Sequence, residues 1–202
     1  ELLGVMNLND YILGIIFSIG YISRGRFIFK NKNKYFLEQI QKVCGNNIYT
    51  QKHKKNAQDV LSTKYFDIER LKSIGWNNRN SDIRKLPKLN QYDNFLRAYI
   101  ELHSRFDYST RYRNKRKKTK YKALRLRIYG NRVLIREINE ILSTDANIAL
   151  KSPQSEKNDK TSYIAYTSIN EIKSIFQYIE EKPCFNAFWN EIENKLRIPI
   201  IV

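Results

Sequence analysis

The sequence predicts an α+β fold made of two pseudo-symmetric αββαββα repeats. Three observations lead to this prediction. An apolar helix opens each half, at Asp10–Gly20 and at Asp93–His103. The segments after each helix alternate apolar and polar residues, which is the pattern of strands with one buried face. Amphipathic stretches with helical spacing then separate the strands into pairs. The same order of elements twice in one chain indicates an internal repeat.

The first repeat is assigned to residues 1–80. Gly45 is predicted to cap the C-terminus of its second helix, because glycine commonly follows the last turn of a helix. The two strands after that helix flank a basic hairpin. In order, the repeat is predicted to contain the helix Asp10–Gly20, the strand Arg26–Lys30, the helix Lys34–Val43, the strands Ile48–Gln51 and Val60–Phe66, and the helix Ile68–Ile74.

Residues 81–90 are predicted to link the halves, since the segment is polar and the pair Leu86-Pro87 interrupts regular structure. The second repeat, with an additional C-terminal helix, is assigned to residues 91–202. Its predicted elements are the helix Asp93–His103, the strands Phe106–Arg113 and Tyr121–Tyr129, the helix Arg132–Leu142, the strands Ile148–Lys151 and Tyr163–Thr167, the helix Asn170–Glu180 and a last helix Phe185–Leu196.

The composition favours a folded and strongly basic protein. Of the 202 residues 42% are hydrophobic, which is enough for a core and excludes global disorder. The net charge of +17 indicates an anionic partner, either nucleic acid or a membrane surface. The apolar run Tyr11–Ile22 is shorter than the roughly 20 residues that cross a bilayer. The cysteines, Cys44 and Cys184, form no metal or redox motif, which predicts a cytoplasmic, nucleoid-associated protein with reduced thiols.

The densest basic segment is Arg111–Lys122, which contains no acidic residue. It runs into Ala123–Tyr129, where apolar residues alternate with arginines. A strand at this point would bury its apolar face and expose the arginines. A sheet face of arginine and tyrosine is suited to phosphates and bases, so we favour nucleic acid over a membrane as the partner. The alternative for the basic segment is a solvated loop that binds nothing.

The two opening helices resemble a known pair of motifs. The segments Leu13-Gly14-Ile15-Ile16-Phe17-Ser18-Ile19-Gly20-Tyr21-Ile22 and Phe95-Leu96-Arg97-Ala98-Tyr99-Ile100-Glu101-Leu102-His103-Ser104-Arg105 are similar to those of the LAGLIDADG homing endonuclease family, in its single-chain, two-repeat form. The resemblance covers residues 9–182. It implies that the two helices pack together at Gly14 and Ala98. It also implies that each half adds a four-stranded antiparallel sheet to a DNA-binding saddle, and that one chain binds as a monomer.

At the positions that bind a divalent metal in this family, the sequence departs from the motif. The metal-binding acid corresponds to Ile19 in the first half and to His103 in the second. Mg²⁺ prefers oxygen ligands, and two-metal cleavage needs them on both sides. Glu101 matches an earlier acid of the motif and is interpreted as a helix-end charge. No phosphate-binding loop or nucleophile elbow indicates another reaction. We therefore expect no catalytic residue, metal or cofactor, and a protein that is not an enzyme.

The resemblance further implies which strand residues contact DNA. In the first repeat these are Arg24, Arg26, Lys30, Gln51, Lys52, His53 and Lys54, and in the second Arg105, Tyr108, Arg111, Arg113, Arg116, Lys117, Lys118, Lys120, Lys122, Arg125 and Arg127. We expect four arginines to read base edges, since arginine is the usual reader of guanine: Arg111, Arg113, Arg125 and Arg127. The cluster between them is expected to contact phosphates: Arg116, Lys117, Lys118, Lys120 and Lys122.

The leading hypothesis is thus a LAGLIDADG-like protein without cleavage activity that binds double-stranded DNA sequence-specifically, as a transcriptional regulator or repressor. An alternative is an RNA-binding intron maturase, an activity that the same family hosts. A further alternative is an active homing endonuclease whose metal ligands are assigned to the wrong residues. The abundance of Lys, Asn and Ile favours an AT-rich bacterial, phage or organellar genome.

Overall fold

The structure, a computed structural model, describes residues 8–45, 48–53, 58–78, 83–114, 116, 119–155, 161–179 and 185–197. The predicted order αββαββα occurs twice and is followed by one more helix, so the predicted fold class is confirmed. The elements are α1 Asp10–Ile19, β1 Gly20–Ser23, β2 Arg26–Asn31, α2 Lys34–Cys44, β3 Ile48–His53, β4 Gln58–Thr63, α3 Ile68–Ser73, α4 Asp93–His103, β5 Ser104–Asn114, β6 Thr119–Gly130, α5 Arg132–Asp145, β7 Gln154–Ser155, β8 Ser162–Tyr166, α6 Ile169–Tyr178 and α7 Asn186–Arg197.

The first sheet is antiparallel, with the strand order β1-β2-β4-β3. Alternate residues of β2 and β4 point to one face, where Phe27, Phe29 and Leu61 are fully or almost fully buried. The ring of Phe27 lies 4.7 Å from that of Trp76, centroid to centroid, which brings the segment after α3 into this core. The other face of the sheet is left for contacts outside the core.

The two opening helices, α1 and α4, pack against each other in the first compact unit of the chain. A β carbon added at Gly14 would lie 2.5 Å from the carbonyl oxygen of Phe95 and 2.8 Å from the β carbon of Ala98. Beside this contact the rings of Phe17 and Phe95 meet edge to face at 5.4 Å. Gly14 and Ala98 therefore lie together as expected, at a distance that only small residues allow.

Packing divides the chain between Leu102 and His103, whereas the repeat boundary and the linker were assigned to residues 81–90. The reason is that α4 and the segment before it are attached to the first unit. Arg84 is buried, and its guanidinium donates to the carbonyl oxygens of Phe17, at 2.5 Å, and of Asn77. The part of the predicted linker that the structure describes thus contributes a buried side chain. The assignment of the repeats themselves stays a prediction.

The second sheet is also antiparallel, with the strand order β5-β6-β8-β7. Leu126 pairs with Tyr166 and Ile128 with Ile164, and all four side chains are buried. Helix α5 covers this face, with Ile135 and other apolar residues buried against it. Strands β5 and β6 have 11 and 12 residues, and β8 has only five. The hairpin of β5 and β6 therefore extends beyond the strand that pairs with β6.

The predicted strand Ile148–Lys151 is wrong, since the short strand in this region is β7. The backbone of Lys151 pairs with a side chain instead of a strand: Asn139 Nδ2 donates to its carbonyl oxygen at 2.6 Å, and its N–H donates to Asn139 Oδ1 at 3.1 Å. Asn139 is itself buried in α5. A side chain of the helix thus makes the hydrogen bonds to the backbone N–H and carbonyl groups that a neighbouring strand would otherwise make.

Strand β1 was not predicted at all. It begins at Gly20, directly after α1, within one continuous apolar run.

None of the helices, over the ranges that the structure describes, is both long and apolar enough to span a membrane.

Candidate nucleic-acid interface

The face of the second sheet opposite its core carries arginines and tyrosines. Directly paired residues of antiparallel strands lie on the same face, and the pairs Arg105 with Arg127 and Asp107 with Arg125 lie on this one. Tyr129 pairs with Tyr163 on the same side of the sheet. We call this surface the arginine–tyrosine face, and it consists of Arg105, Asp107, Arg111, Tyr121, Arg125, Arg127, Tyr129 and Tyr163.

One carboxylate, that of Asp107, joins three guanidinium groups on this face. Arg125 donates to it twice, from Nε to Oδ1 at 2.9 Å and from Nη2 to Oδ2 at 3.2 Å. Arg127 Nη2 donates to Oδ2 at 2.5 Å, and Arg105 Nε lies 3.3 Å from the same oxygen. Burial alone would raise the pKa of Asp107, but the hydrogen bonds from Arg125 and Arg127 lower it below its ordinary value. The carboxylate is therefore ionised at neutral pH.

Aromatic rings complete the surroundings of Arg127. Its guanidinium carbon lies 5.5 Å from the ring centroid of Tyr129 and 5.8 Å from that of Tyr163, distances at which a cation is attracted to a ring. The hydroxyl of Tyr163 donates to Gln154 Oε1 at 2.7 Å, which fixes the second ring. The side chain of Arg127 is 13% exposed and that of Arg125 27%. Arg125 and Arg127, two of the four predicted base readers, are thus held on the sheet in a defined orientation.

Towards its tip the same hairpin presents solvent-exposed cations. Arg111, Arg113, Lys120 and Lys122 are exposed on β5 and β6, and Arg116 is exposed in the turn. Lys120 Nζ lies 5.4 Å from the ring centroid of Tyr112. The exposed rings of this hairpin are those of Tyr108 and Tyr112, at 44% and 53%. The predicted phosphate contacts Lys117 and Lys118 lie outside the described residues.

On the first sheet, the predicted contact residues that the structure describes fall on two strands and one turn. Arg26 begins β2, and its Nε donates to Ser62 Oγ at 2.7 Å, while Lys30 is half-buried opposite Val60. Arg24 is exposed at the turn between β1 and β2. The remaining ones belong to β3 or follow it: Gln51 pairs with Val60, Lys52 with Asp59 and His53 with Gln58, and Lys54 lies outside the described residues.

The positions that bind metal in the resembled family lie at helix ends, where Ile19 is the last residue of α1 and His103 the last of α4. Neither side chain supplies the oxygen that Mg²⁺ prefers. Over the described ranges, no group of three or more His, Cys, Asp or Glu residues is placed to hold a metal ion. The residues at these two positions therefore do not fit a Mg²⁺ site.

Glu101 lies in the last turn of α4, where the sequence places a helix-end charge, but it is not exposed to solvent. Its side chain is fully buried, accepts a hydrogen bond of 2.5 Å from the hydroxyl of Tyr11 on α1, and lies 3.8 Å from Arg97 Nε. Burial, together with the charge of Glu101, raises the pKa of Tyr11, so its hydroxyl stays protonated and donates. Glu101 thus joins α4 to α1.

Of the two cysteines, Cys44 is buried with a free thiol, as a residue of the core should be. Burial raises the pKa of this thiol to about 11. Cys184 lies outside the described residues.

Comparison with solved structures places this fold among nucleases. Residues of this chain superpose on a LAGLIDADG homing endonuclease, I-LtrWI, bound to its target DNA, with a TM-score of 0.62 and 16% identity over 92% of this chain and 87% of the other. The LAGLIDADG meganuclease I-AabMI bound to uncleaved DNA superposes with a TM-score of 0.59 and 9% identity, over 93% of this chain and 92% of the other. The LAGLIDADG homing endonuclease I-SmaMI bound to cleaved DNA superposes with a TM-score of 0.57 and 13% identity, over 95% of this chain and 92% of the other. No family model and no curated protein matches the sequence.

These comparisons overturn the prediction that the chain is not an enzyme. The proteins that share its fold are homing endonucleases, which are enzymes, and nothing in the structure shows that cleavage has been lost. The prediction went too far because it inferred the loss of a whole reaction from two side chains, Ile19 and His103. The architecture itself agrees with the motifs in α1 and α4 and with the doubled element order: this chain has the fold of the LAGLIDADG homing endonucleases.

Proposed function

We propose that the chain binds double-stranded DNA sequence-specifically, with the arginine–tyrosine face of the β5–β6 hairpin as its main reading surface. The observation that carries this proposal is the pair Arg125 and Arg127, held side by side and outward on a sheet. Arginine recognises guanine through two parallel hydrogen bonds, and that recognition requires a fixed guanidinium plane. The DNA complexes of I-LtrWI and I-SmaMI, which have the same fold, support the proposal.

The dimensions of the hairpin suit the major groove. A two-stranded ribbon fits into this groove and can reach base edges. Strands of 11 and 12 residues extend over about 36 Å at 3.3 Å per residue, which is close to one helical turn of DNA. The ribbon has fixed arginines at its sheet end and exposed cations towards its tip, and the two groups contact different parts of the DNA. The former contact bases and the latter contact phosphates.

The finer parts of the proposal concern assembly and role. The chain holds both repeats, so we propose that it binds DNA as a monomer. We propose further that it acts as a transcriptional regulator or repressor at its DNA site. Its proposed location is the cytoplasm, in association with the nucleoid. The free thiol of Cys44 agrees with a reducing compartment.

Selection of bound fragments from random duplex DNA, followed by sequencing, tests the proposed function. We expect one preferred site with guanines at fixed spacing. Competition against structured RNA at matched salt separates DNA from RNA as the ligand, because both bind electrostatically and only the specificity ratio discriminates them. The selected duplex is then incubated with Mg²⁺, with Mn²⁺ and with EDTA, which measures cleavage separately from binding. Selection that enriches no sequence, or RNA that competes better than the site, would contradict the proposal.

A further inference from the structure

The arginine–tyrosine face contains an acidic residue at the point where a DNA-binding surface would gain most from a cation. Asp107 lies within β5, directly opposite Arg125, and is half-buried. A carboxylate on such a face repels the phosphates that supply most of the binding energy. Its presence lowers the net charge of this part of the surface, so a purely electrostatic interface would be better without it.

The hydrogen bonds of Asp107 indicate what it does instead. Both of its oxygens accept from arginines, and Arg105 lies close as a third cation. With its acceptors directed at guanidinium groups, Asp107 does not itself read a base. What it changes is the state of Arg125 and Arg127. Without it, each would be a long, mobile cation that follows the nearest phosphate.

Fixing an arginine before DNA arrives has two consequences for recognition. The side chain has already lost its rotamer freedom, and ordering a side chain on binding otherwise costs about 0.5–1.5 kcal/mol. The fixed guanidinium still carries unused donors: Arg125 contacts Asp107 through Nε and Nη2, which leaves Nη1. Arg127 contacts Asp107 through Nη2, which leaves Nη1, whereas its Nε is buried and meets no acceptor among the described residues.

We propose that Asp107 is a specificity-determining residue, which holds Arg125 and Arg127 as oriented donors for base edges and keeps them from binding phosphates. This inference rests on the proposed function and names the residue that makes the binding selective. Asp107 is a positioning residue, since it acts on DNA only through the two arginines. Its removal should therefore strengthen binding to unrelated sequences while it weakens binding to the preferred site.

The test compares Asp107→Asn with the full-length unmodified chain on the selected duplex and on a scrambled duplex. The matched control is Asp145→Asn, which makes the same charge change at the exposed end of α5, where the carboxylate accepts from the hydroxyl of Tyr178. For Asp107→Asn we expect the ratio of the two affinities to fall about tenfold or more. The slope of log affinity against log salt on scrambled DNA should become steeper by about one to two, because each released arginine neutralises one phosphate.

A purely structural role for Asp107 would move the melting temperature and leave the affinity ratio in place. Asp107→Glu keeps the carboxylate and should retain most of the ratio, which keeps the inference testable if Asp107→Asn unfolds. Either of two results overturns this inference alone. One is an affinity ratio in a folded Asp107→Asn that lies within twofold of the ratio for the unmodified chain. The other is a loss of selectivity in Asp145→Asn as large as in Asp107→Asn. If the unmodified chain prefers no sequence, the proposed function fails and this inference fails with it.

Discussion

At the residue scale, the turn between β1 and β2 holds a side chain in a backbone conformation that it disfavours. Arg24 has φ 50° and Gly25 φ 69°, the two positive angles of a tight hairpin turn whose twist matches that of the strands. Glycine adopts positive φ without cost, whereas a residue with a β carbon loses about 1–2 kcal/mol. Asparagine is the usual residue at the first position. Arginine at this position leaves the backbone strained, but it places an exposed positive charge at the end of the hairpin.

We therefore expect Arg24→Asn to have opposite effects on folding and on binding. The free energy of unfolding should rise by up to about 1 kcal/mol as the strain is relieved. Affinity for DNA of any sequence should fall, since one cation is removed. Urea unfolding and titration against unrelated duplexes measure the two effects. Gly25→Ala is the matched comparison and should be destabilising, although no described residue other than its two chain neighbours has an atom within 4 Å of the new methyl group. A stabilising Gly25→Ala would show that the backbone angle does not govern this turn.

The functional importance of single residues was only partly predictable from the sequence. The basic character of β5 and β6 could be predicted, because a run of Arg and Lys needs no knowledge of pairing. The role of Asp107 could not, since it depends on the register that places it opposite Arg125. That register is fixed across a hairpin, and no local pattern determines it. The contact of Glu101 was not predictable for the same reason: its partner Tyr11 is 90 residues away in sequence.

At the scale of elements, the contact of α1 with α4 depends on two small residues. Ala98→Leu adds three carbon atoms where the β carbon of Ala98 already lies 2.8 Å from the position of a β carbon on Gly14. The helices must separate, which typically costs about 1–3 kcal/mol. Thermal or urea unfolding should show this loss. Ala149→Leu makes the same change at an exposed position and should stay within about 0.5 kcal/mol of the unmodified chain. Equal effects of the two variants would refute tight packing at Gly14.

The amide of Asn139 attaches the backbone of Lys151 to α5, beside the hydrogen bond that Ser143 Oγ donates to the carbonyl oxygen of Ile148 at 2.9 Å. Asn139 bonds both backbone groups of Lys151 and accepts from the hydroxyl of Tyr166 at 3.2 Å. Asn139→Ala leaves buried polar groups unpaired, which costs about 1–3 kcal/mol per group. We expect lower stability and faster hydrogen exchange at the amide of Lys151. Glu140→Ala, one residue along the same helix but exposed, is the control and should change neither quantity. Unchanged protection at Lys151 in Asn139→Ala would show that the amide does not hold this segment.

The same segment shows why element prediction succeeds and fails. Helix α4 was predicted at its observed bounds, because its apolar spacing and its polar flanks both lie within the segment itself. The pattern of Ile148 and Leu150 resembles a strand, but the backbone there is satisfied by Asn139, a partner that sequence spacing does not reveal. Strand β1 was missed because Gly20–Ser23 continues the apolar run of α1 without a polar break.

At the scale of the whole molecule, the net charge of +17 should make DNA binding strongly dependent on salt. Replacing Arg116, Lys120 and Lys122, three of the predicted phosphate contacts, together with Gln should weaken binding to all sequences alike. It should also lower the salt slope by about 0.9 for each phosphate that the variant no longer neutralises. The control replaces the same number of cations on the helices: Lys42, Lys72 and Lys173. Titration at several salt concentrations measures both slopes. Equal slopes for the two triple variants would show that the hairpin cations do not contact phosphates.

The exposed border of the second sheet has a consequence for the protein when no DNA is present. Strand β5 ends the strand order, so no strand in the described part of the chain pairs with its outer side. Such a border can recruit the same border of another copy and start aggregation. Here that border carries Arg105, Arg111 and Arg113, so two copies that approach edge to edge repel each other. High ionic strength, which would release the chain from DNA, also screens this repulsion. The protein should therefore be most prone to self-association in the buffers that are normally used to strip nucleic acid from it.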